Sequence, residues 1–164
     1  MNKKGFTLIE LLVVVAIIGV LSSVVIGSVN KSRVKARDTQ RWNDIVQIQN
    51  ALELYYSDFG HYPKRFWAQT TGVSGGCLDG NSQWCDLQND LTPYGLKKIS
   101  DPQGVGNYDQ YYYRSTVGDN YQTYGFMLRF EDSANIAKQA TDGGYSASYY
   151  EVGQRPRLLY DKIS

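Results

Sequence analysis

At 164 residues the chain has room for one domain of ordinary size. Its 17 Lys and Arg against 16 Asp and Glu give no case for nucleic-acid binding, which calls for a basic face, and no nucleic-acid partner is expected. The charge is unevenly placed, however: Lys3 and Lys4 precede a long apolar run, and Lys31, Arg33, Lys35, Arg37 and Arg41 follow it.

Residues 11–29 are 19 positions without a charge. As a helix they cover about 29 Å, close to one bilayer core. Counted from Phe6 the run is 24 residues with Glu10 as its one charge. An ordinary secretory signal, cut near Ser22-Ser23 or Gly27-Ser28, is a poor fit, because the run is longer than an h-region and carries a charge near its beginning. A plain membrane anchor passes the length test and leaves Glu10 unexplained. A charge at the middle of a membrane helix costs about 2.5–3.5 kcal/mol. Nearer the end the cost is smaller, yet Glu10 still asks for a partner, and the apolar run supplies none.

The stretch "KKGFTLIELLVVVAIIG" closely resembles the processing motif of type IV pilins and of the pseudopilins of type II secretion, over roughly residues 3–29. The resemblance implies that a prepilin peptidase cuts between Gly5 and Phe6 and N-methylates Phe6. Residues 1–5 are then a leader that is removed, and residues 6–29 are a retained transmembrane and assembly half. The new Phe6 amine is largely protonated at neutral pH and lies one helical turn from Glu10. Such a pair attracts far more strongly in apolar surroundings than in water. In the family the Glu of one helix meets the N-terminus of another, so Phe6 and Glu10 are the expected assembly residues, setting axial register as a lone buried polar group does elsewhere. After the cut, 15 basic side chains face 16 acidic ones. Two departures stand out. Gly27 takes the place of a late helix-breaking Pro, although Gly19 matches a mid-helix Gly. Five basic residues follow the span and two precede it, which by positive-inside counting alone would put the C-terminal side in the cytoplasm. The resemblance implies the reverse: leader inside, head outside.

In "RWNDIVQIQNALELYYSDFGHYP" apolar residues recur at Trp42, Ile45, Ile48, Leu52, Tyr55 and Phe59, one face of a helix. Gly60 sits where a C-cap belongs and Pro63 follows. The periodicity predicts one helix over residues 6–59, with residues 30–60 as its amphipathic half. "ALELYYSDFGHYP" resembles the end of the first helix in many pilins and in the major pseudopilin. The basic cluster at 31–41 reads equally as a solvated or headgroup-snorkelling face and as a set of inter-subunit ion pairs. His61, the one histidine, reads as a turn residue.

Residues 61–164 form the expected head. Residues 64–107 read mostly as loop. Within them "CLDGNSQWC" places Cys77 and Cys85 around a turn signal, which outside the cytoplasm reads as a disulfide contributing roughly 2.5 kcal/mol. A zinc site there lacks two further ligands. "LKKISDPQG" resembles the Asp-Pro stretch before the sheet in the pseudopilin-like branch. "YDQYYYRS" and "YQTYGFMLRFED" read as strands joined by a hairpin at "TVGDN". "ANIAKQA" reads as a helical turn and "YSASYYEVG" as a further strand. The expected fold is α+β and pilin-like, a long N-terminal helix packed on a small antiparallel sheet of three or four strands. Nine tyrosines between Tyr108 and Tyr150 favour a half-exposed sheet over carbohydrate adhesion or inter-subunit aromatic stacking. No cofactor is called for. The resemblance leaves calcium open, with Asp109, Asp119, Asp132 and Asp142 in or near loops, but no ligand spacing singles them out.

No nucleophile–His–acid set, phosphate loop or metal cluster is evident, so no enzyme is expected. The resemblance implies a structural subunit of a type IV pilus or type II secretion pseudopilus. Its partners would be like subunits, the prepilin peptidase, an inner-membrane assembly platform and, before assembly, membrane lipid. It would be a single-pass protein of the cytoplasmic membrane that passes into a periplasmic or extracellular filament. The alternatives are a minor or competence-type pseudopilin that primes assembly or binds DNA, and a membrane-tethered binding module. Minor tip subunits can lack the helix-start Glu, so Glu10 argues for a body subunit.

Overall fold

The computed structural model describes residues 5–66, 68–69, 83–103, 111–144 and 146–155. It divides into two compact units, Met1–Ala36 and Arg37–Ser164. The helix α1 (Leu8–Phe59) contributes to both.

In the first unit nothing interrupts the helical ladder, because residues 6–59 hold no proline. Every apolar side chain described from Phe6 to Val29 is exposed, from Phe6 at 93% and Leu8 at 82% to Val13 at 49% and Val29 at 41%, and Val34 is half-buried. An 18-residue window of the helix is apolar enough to cross a membrane, with none of it buried within the chain.

In the second unit α1 turns amphipathic. Ile45, Ile48, Ala51 and Leu52 are buried on one face. The helix stops at Gly60, whose φ of +68° is a left-handed conformation that glycine adopts without strain. Its N–H closes on the carbonyl of Tyr56 at 2.8 Å. Phe59, at the end of the predicted apolar face, is 55% exposed, because the helix has by then run past the core.

Four antiparallel strands follow in a meander: β1 (Ala68–Gln69), β2 (Tyr112–Ser115), β3 (Tyr124–Leu128) and β4 (Tyr150–Val152), in that spatial order. Tyr113 pairs with Phe126, and Phe126 in turn with Val152. The β2–β3 connection contains the predicted turn as a short 3₁₀ segment, Val117–Asp119, closed by Asn120 in the left-handed region. Two further helices lie in the head, α2 (Gln83–Leu91) and α3 (Ser133–Gln139). The helix α3 forms at "ANIAKQA", where a helical turn is expected, and is capped by Asp132, whose side chain accepts from Ala134 N–H.

Two expectations need correction. Residues 64–107, expected to be mostly loop, contain the helix α2, followed by a 3₁₀ turn at Thr92–Tyr94, among the described residues. Trp84, Leu87, Gln88 and Leu91 of α2 are buried, an i, i+3, i+4, i+7 face. The tyrosine strands are also not half-exposed. Tyr111, Tyr112, Tyr113 and Tyr124 are buried. On one face Tyr111, Tyr113, Tyr124, Phe126 and Leu128 join α1 and α2 in the main core. On the other, Tyr112 and Met127 pack with Tyr149. Buried phenols need partners, and find them: the Tyr111 hydroxyl donates to Asp44 at 2.7 Å and that of Tyr113 to the Pro63 carbonyl at 3.0 Å.

Candidate functional site

At the start of α1, Gly5 and Phe6 are exposed and precede the first helical turn. Glu10 sits in that turn, where a carboxylate meets the positive end of the helix dipole. Its Oε2 accepts from the backbone N–H of Thr7 and from Thr7 Oγ1, both at 2.8 Å, and its own N–H donates back to Thr7 Oγ1 at 3.3 Å. This reciprocal arrangement is a capping box, which satisfies helix N–H groups that have no intrahelical acceptor. The apolar run itself offers Glu10 no partner. The structure supplies one just before the run, in Thr7.

A second polar constellation lies in the other unit. Arg41 is fully buried and uses its whole planar fork. Its Nε and Nη2 grip Asp101 at 2.7 and 2.9 Å, and its Nη1 donates to Asp38 at 2.9 Å and to Glu131 at 2.6 Å. Asp38, also buried, accepts from the backbone N–H groups of Glu131 and Asp132 at 3.0 and 2.9 Å, and from Asn135 Nδ2 at 3.1 Å. Arg37 pairs with Glu131 through a second fork, its Nε at 2.7 Å and its Nη2 on the other carboxylate oxygen. Asp44 completes the group, with Tyr111 as donor.

Four carboxylates thus face two guanidinium groups. The hydrogen bond from Arg37 holds Glu131 below the usual carboxylate range, with Arg41 adding to it, against the opposing effect of burial. Asp44 goes the other way. Burial raises it to about 6, the Tyr111 hydrogen bond opposes this, Asp101 adds to it and Arg41 subtracts. For Arg41 burial disfavours the cation, but Asp101, Glu131 and Asp38 outweigh it and its pKa rises. The cluster ties α1 to the segment at Asp101 and to the start of α3. It holds no nucleophile, and its chemistry is that of an electrostatic clasp.

The clasp takes Arg41 out of both readings of the 31–41 basic cluster, because it is buried and bound within its own unit. Arg37 is half-buried and paired with Glu131, whereas Lys31, Arg33 and Lys35 are exposed. Reasoning from the sequence missed Asp38, Arg41, Asp44, Asp101 and Glu131 as a group. It had the spacing signal 38–41–45–48–52 but counted only apolar residues.

The remaining candidate residues are accounted for locally. Cys85 is buried on α2, and Cys77 lies outside the described residues. Asp119 accepts from Gln122 N–H and Thr123 Oγ1, Asp132 caps α3, and Asp142 accepts from the N–H groups of Gly144 and Glu151. Asp109 lies outside the described residues. Among the described residues no group of three or more His, Cys, Asp or Glu could hold a metal ion. His61 turns its Nδ1 onto the Tyr62 carbonyl at 2.9 Å.

Residues 1–26 match the family described as the prokaryotic N-terminal methylation motif. Through part of its length the chain is similar to type II secretion system core proteins and to a type IV pilus component. It is 44% identical over 62 residues to the type II secretion system core protein G of Escherichia coli, a match covering 38% of this chain and 43% of the relative. The corresponding protein of Vibrio cholerae is 42% identical over 62 residues, covering 38% and 42%. The type IV wide pilus major component PilA4 of Thermus thermophilus is 45% identical over 64 residues, covering 37% and 47%. The chain thus spans under half the length of these curated relatives. No solved structure matches it at a significant level.

Proposed function

We propose that this chain is the structural subunit of a type IV pilus or type II secretion pseudopilus and polymerises through the apolar half of α1. Prepilin peptidase cuts between Gly5 and Phe6 and methylates the new N-terminus. The apolar half anchors the subunit in the cytoplasmic membrane with its head outside, and then moves from lipid into a stack of like helices. The observation that carries this reading is an unbroken exposed apolar helix whose single carboxylate, Glu10, lies one turn from the amine that cleavage would free. In a neighbouring helix that amine is a cation for Glu10, whose partner among the described residues of its own chain is the neutral Thr7. With the head outside the cytoplasm, Cys77 and Cys85 pair as a disulfide that fastens the start of α2.

Mass spectrometry of the chain purified from its own cells tests the processing step. A methylated phenylalanine at the N-terminus is expected; a start after Ser23 or Gly27, or an intact Met1, refutes it. Glu10→Ala should leave processing intact and cut filament yield at least tenfold. Undiminished filaments with that variant would refute the assembly role.

A further inference from the structure

The basic residues after the apolar run divide by partner. Arg37 and Arg41 are paired with Glu131 and Asp101, and Lys35 also has an interaction within the chain. Lys31 and Arg33 are exposed, and among the described residues neither has an ion-pair partner. The later part of α1 has the opposite character. Residues 42–59 contain three carboxylates, Asp44, Glu53 and Asp58, and no Lys or Arg. Asp44 is buried against Tyr111, whereas Glu53 and Asp58 are exposed. Their donors are neutral: Glu53 accepts from the Tyr62 hydroxyl at 3.0 Å and from Gln154 Nε2 at 2.8 Å, and Asp58 from the Tyr94 hydroxyl at 2.8 Å. Asp58 also stands in the last turn of α1, where the helix dipole disfavours an anion and no basic residue offsets it. One helix thus carries two uncompensated cations and two uncompensated anions, and the 20 to 27 residues of helix between them keep them from meeting within one chain.

The period of the helix selects among the possible pairs. Two parallel copies side by side present opposite sides of α1 to each other, so charges that meet between copies are separated in sequence by a whole number of turns plus about a half. Lys31 and Asp58 are 27 residues apart, about 7.5 turns, and Arg33 and Glu53 are 20 apart, about 5.6 turns. The crossed pairs, Lys31 with Glu53 and Arg33 with Asp58, are about 6.1 and 6.9 turns apart, close to whole turns, and fail this condition. Lys31 and Arg33, about 200° apart round the helix, serve different neighbours. We propose that Lys31 of one copy pairs with Asp58 of a second copy of this chain, and Arg33 with Glu53 of another. The proposal rests on the reading that like subunits polymerise in parallel through α1. The occupant is a second copy because the charges complement each other in sign and in helical spacing. Such a contact is heterologous, one patch meeting a different patch, and it repeats into an open filament.

The test uses filaments of the full chain sheared from cells. A carbodiimide, which joins an amine to a carboxylate in contact with it, should link Lys31 to Asp58 between copies and should not link Lys31 to Glu53, as read by peptide mass spectrometry. K31D or D58K alone should cut filament yield by about fivefold, the upper range for an exposed pair, because reversal adds repulsion to the lost attraction. The matched swap K31D/D58K should restore the wild-type yield, and the mismatched swap K31D/E53K should not. Resistance to alkaline extraction checks that the variants still insert in the membrane. Lys31–Glu53 cross-links in place of Lys31–Asp58, full yield from both single variants, or equal rescue by the two swaps overturns the pairing and leaves polymerisation intact. Loss of insertion in K31D, with filaments of D58K undiminished, would assign Lys31 to lipid headgroups and overturn the pairing as well. Absence of filaments from the wild-type chain overturns both readings.

Discussion

Replacing Arg41 with methionine keeps most of the aliphatic length and removes the charge at the centre of the clasp. Asp101 would lose both members of its fork while keeping the Gln103 N–H at 2.9 Å, and Asp38 would lose its guanidinium while retaining its backbone donors. Glu131 would keep Arg37. Removing one partner of a buried ion pair strands the other charge and costs about 3–5 kcal/mol. For a domain of this size that lowers the melting temperature by roughly 10–15 °C. The measurement is a guanidinium titration of the full chain in detergent, followed by tryptophan fluorescence. Trp42, next to Arg41 in the chain, stacks on Phe130 at 5.0 Å and should report the loosening. Adding Asp101→Asn should recover part of the loss, with a coupling of about 2 kcal/mol or more in the double-variant cycle. A cost below about 1 kcal/mol, or strict additivity with Asp101→Asn, would refute the clasp as a stabilising unit.

The cluster also makes a pH prediction. Because burial raises Asp44 from 3.8 to about 6 in the folded chain, its ionisation opposes folding: the penalty is absent below the unfolded value, grows as pH rises, and is complete above about 6. Asp44→Asn should therefore stabilise the head by about 1–2 kcal/mol near neutral pH, after discounting for solvent, and by almost nothing near pH 4; equal effects at both pH values in denaturant titrations would contradict this. Two glycines should differ in a predictable order. Gly60→Ala meets open space and carries only the left-handed strain of its φ of +68°, about 1 kcal/mol. Gly153→Ala, at φ +129°, would also bring a Cβ to 2.5 Å from the Tyr124 carbonyl oxygen and should cost roughly 2–3 kcal/mol, so a smaller loss at 153 than at 60 in the same titrations would be the wrong order.

What could be read from the sequence was what is local. Apolar residues at helical spacing, no proline and a glycine at the end were enough for α1, and the "TVGDN" turn for the β2–β3 hairpin. The same periodicity at Trp84, Leu87 and Leu91 was present but lay beside a Gly- and Ser-rich stretch that reads as loop. Arg41 was not legible because its partners Asp101 and Glu131 are 60 and 90 residues away, and nothing near Arg41 announces that they converge. Burial of an Arg depends on that convergence, so an apolar-only pattern ends the buried stripe too early. Glu10 shows the opposite division. The Thr-x-x-Glu spacing at Thr7–Glu10 is wholly local and predicts its own capping box. Yet the donors in that box are neutral. They orient the carboxylate and leave its charge in place, and in apolar surroundings an uncompensated charge remains costly however well it is hydrogen-bonded. The cap therefore explains how Glu10 is held in a single chain, and the need for a cation from outside that chain persists.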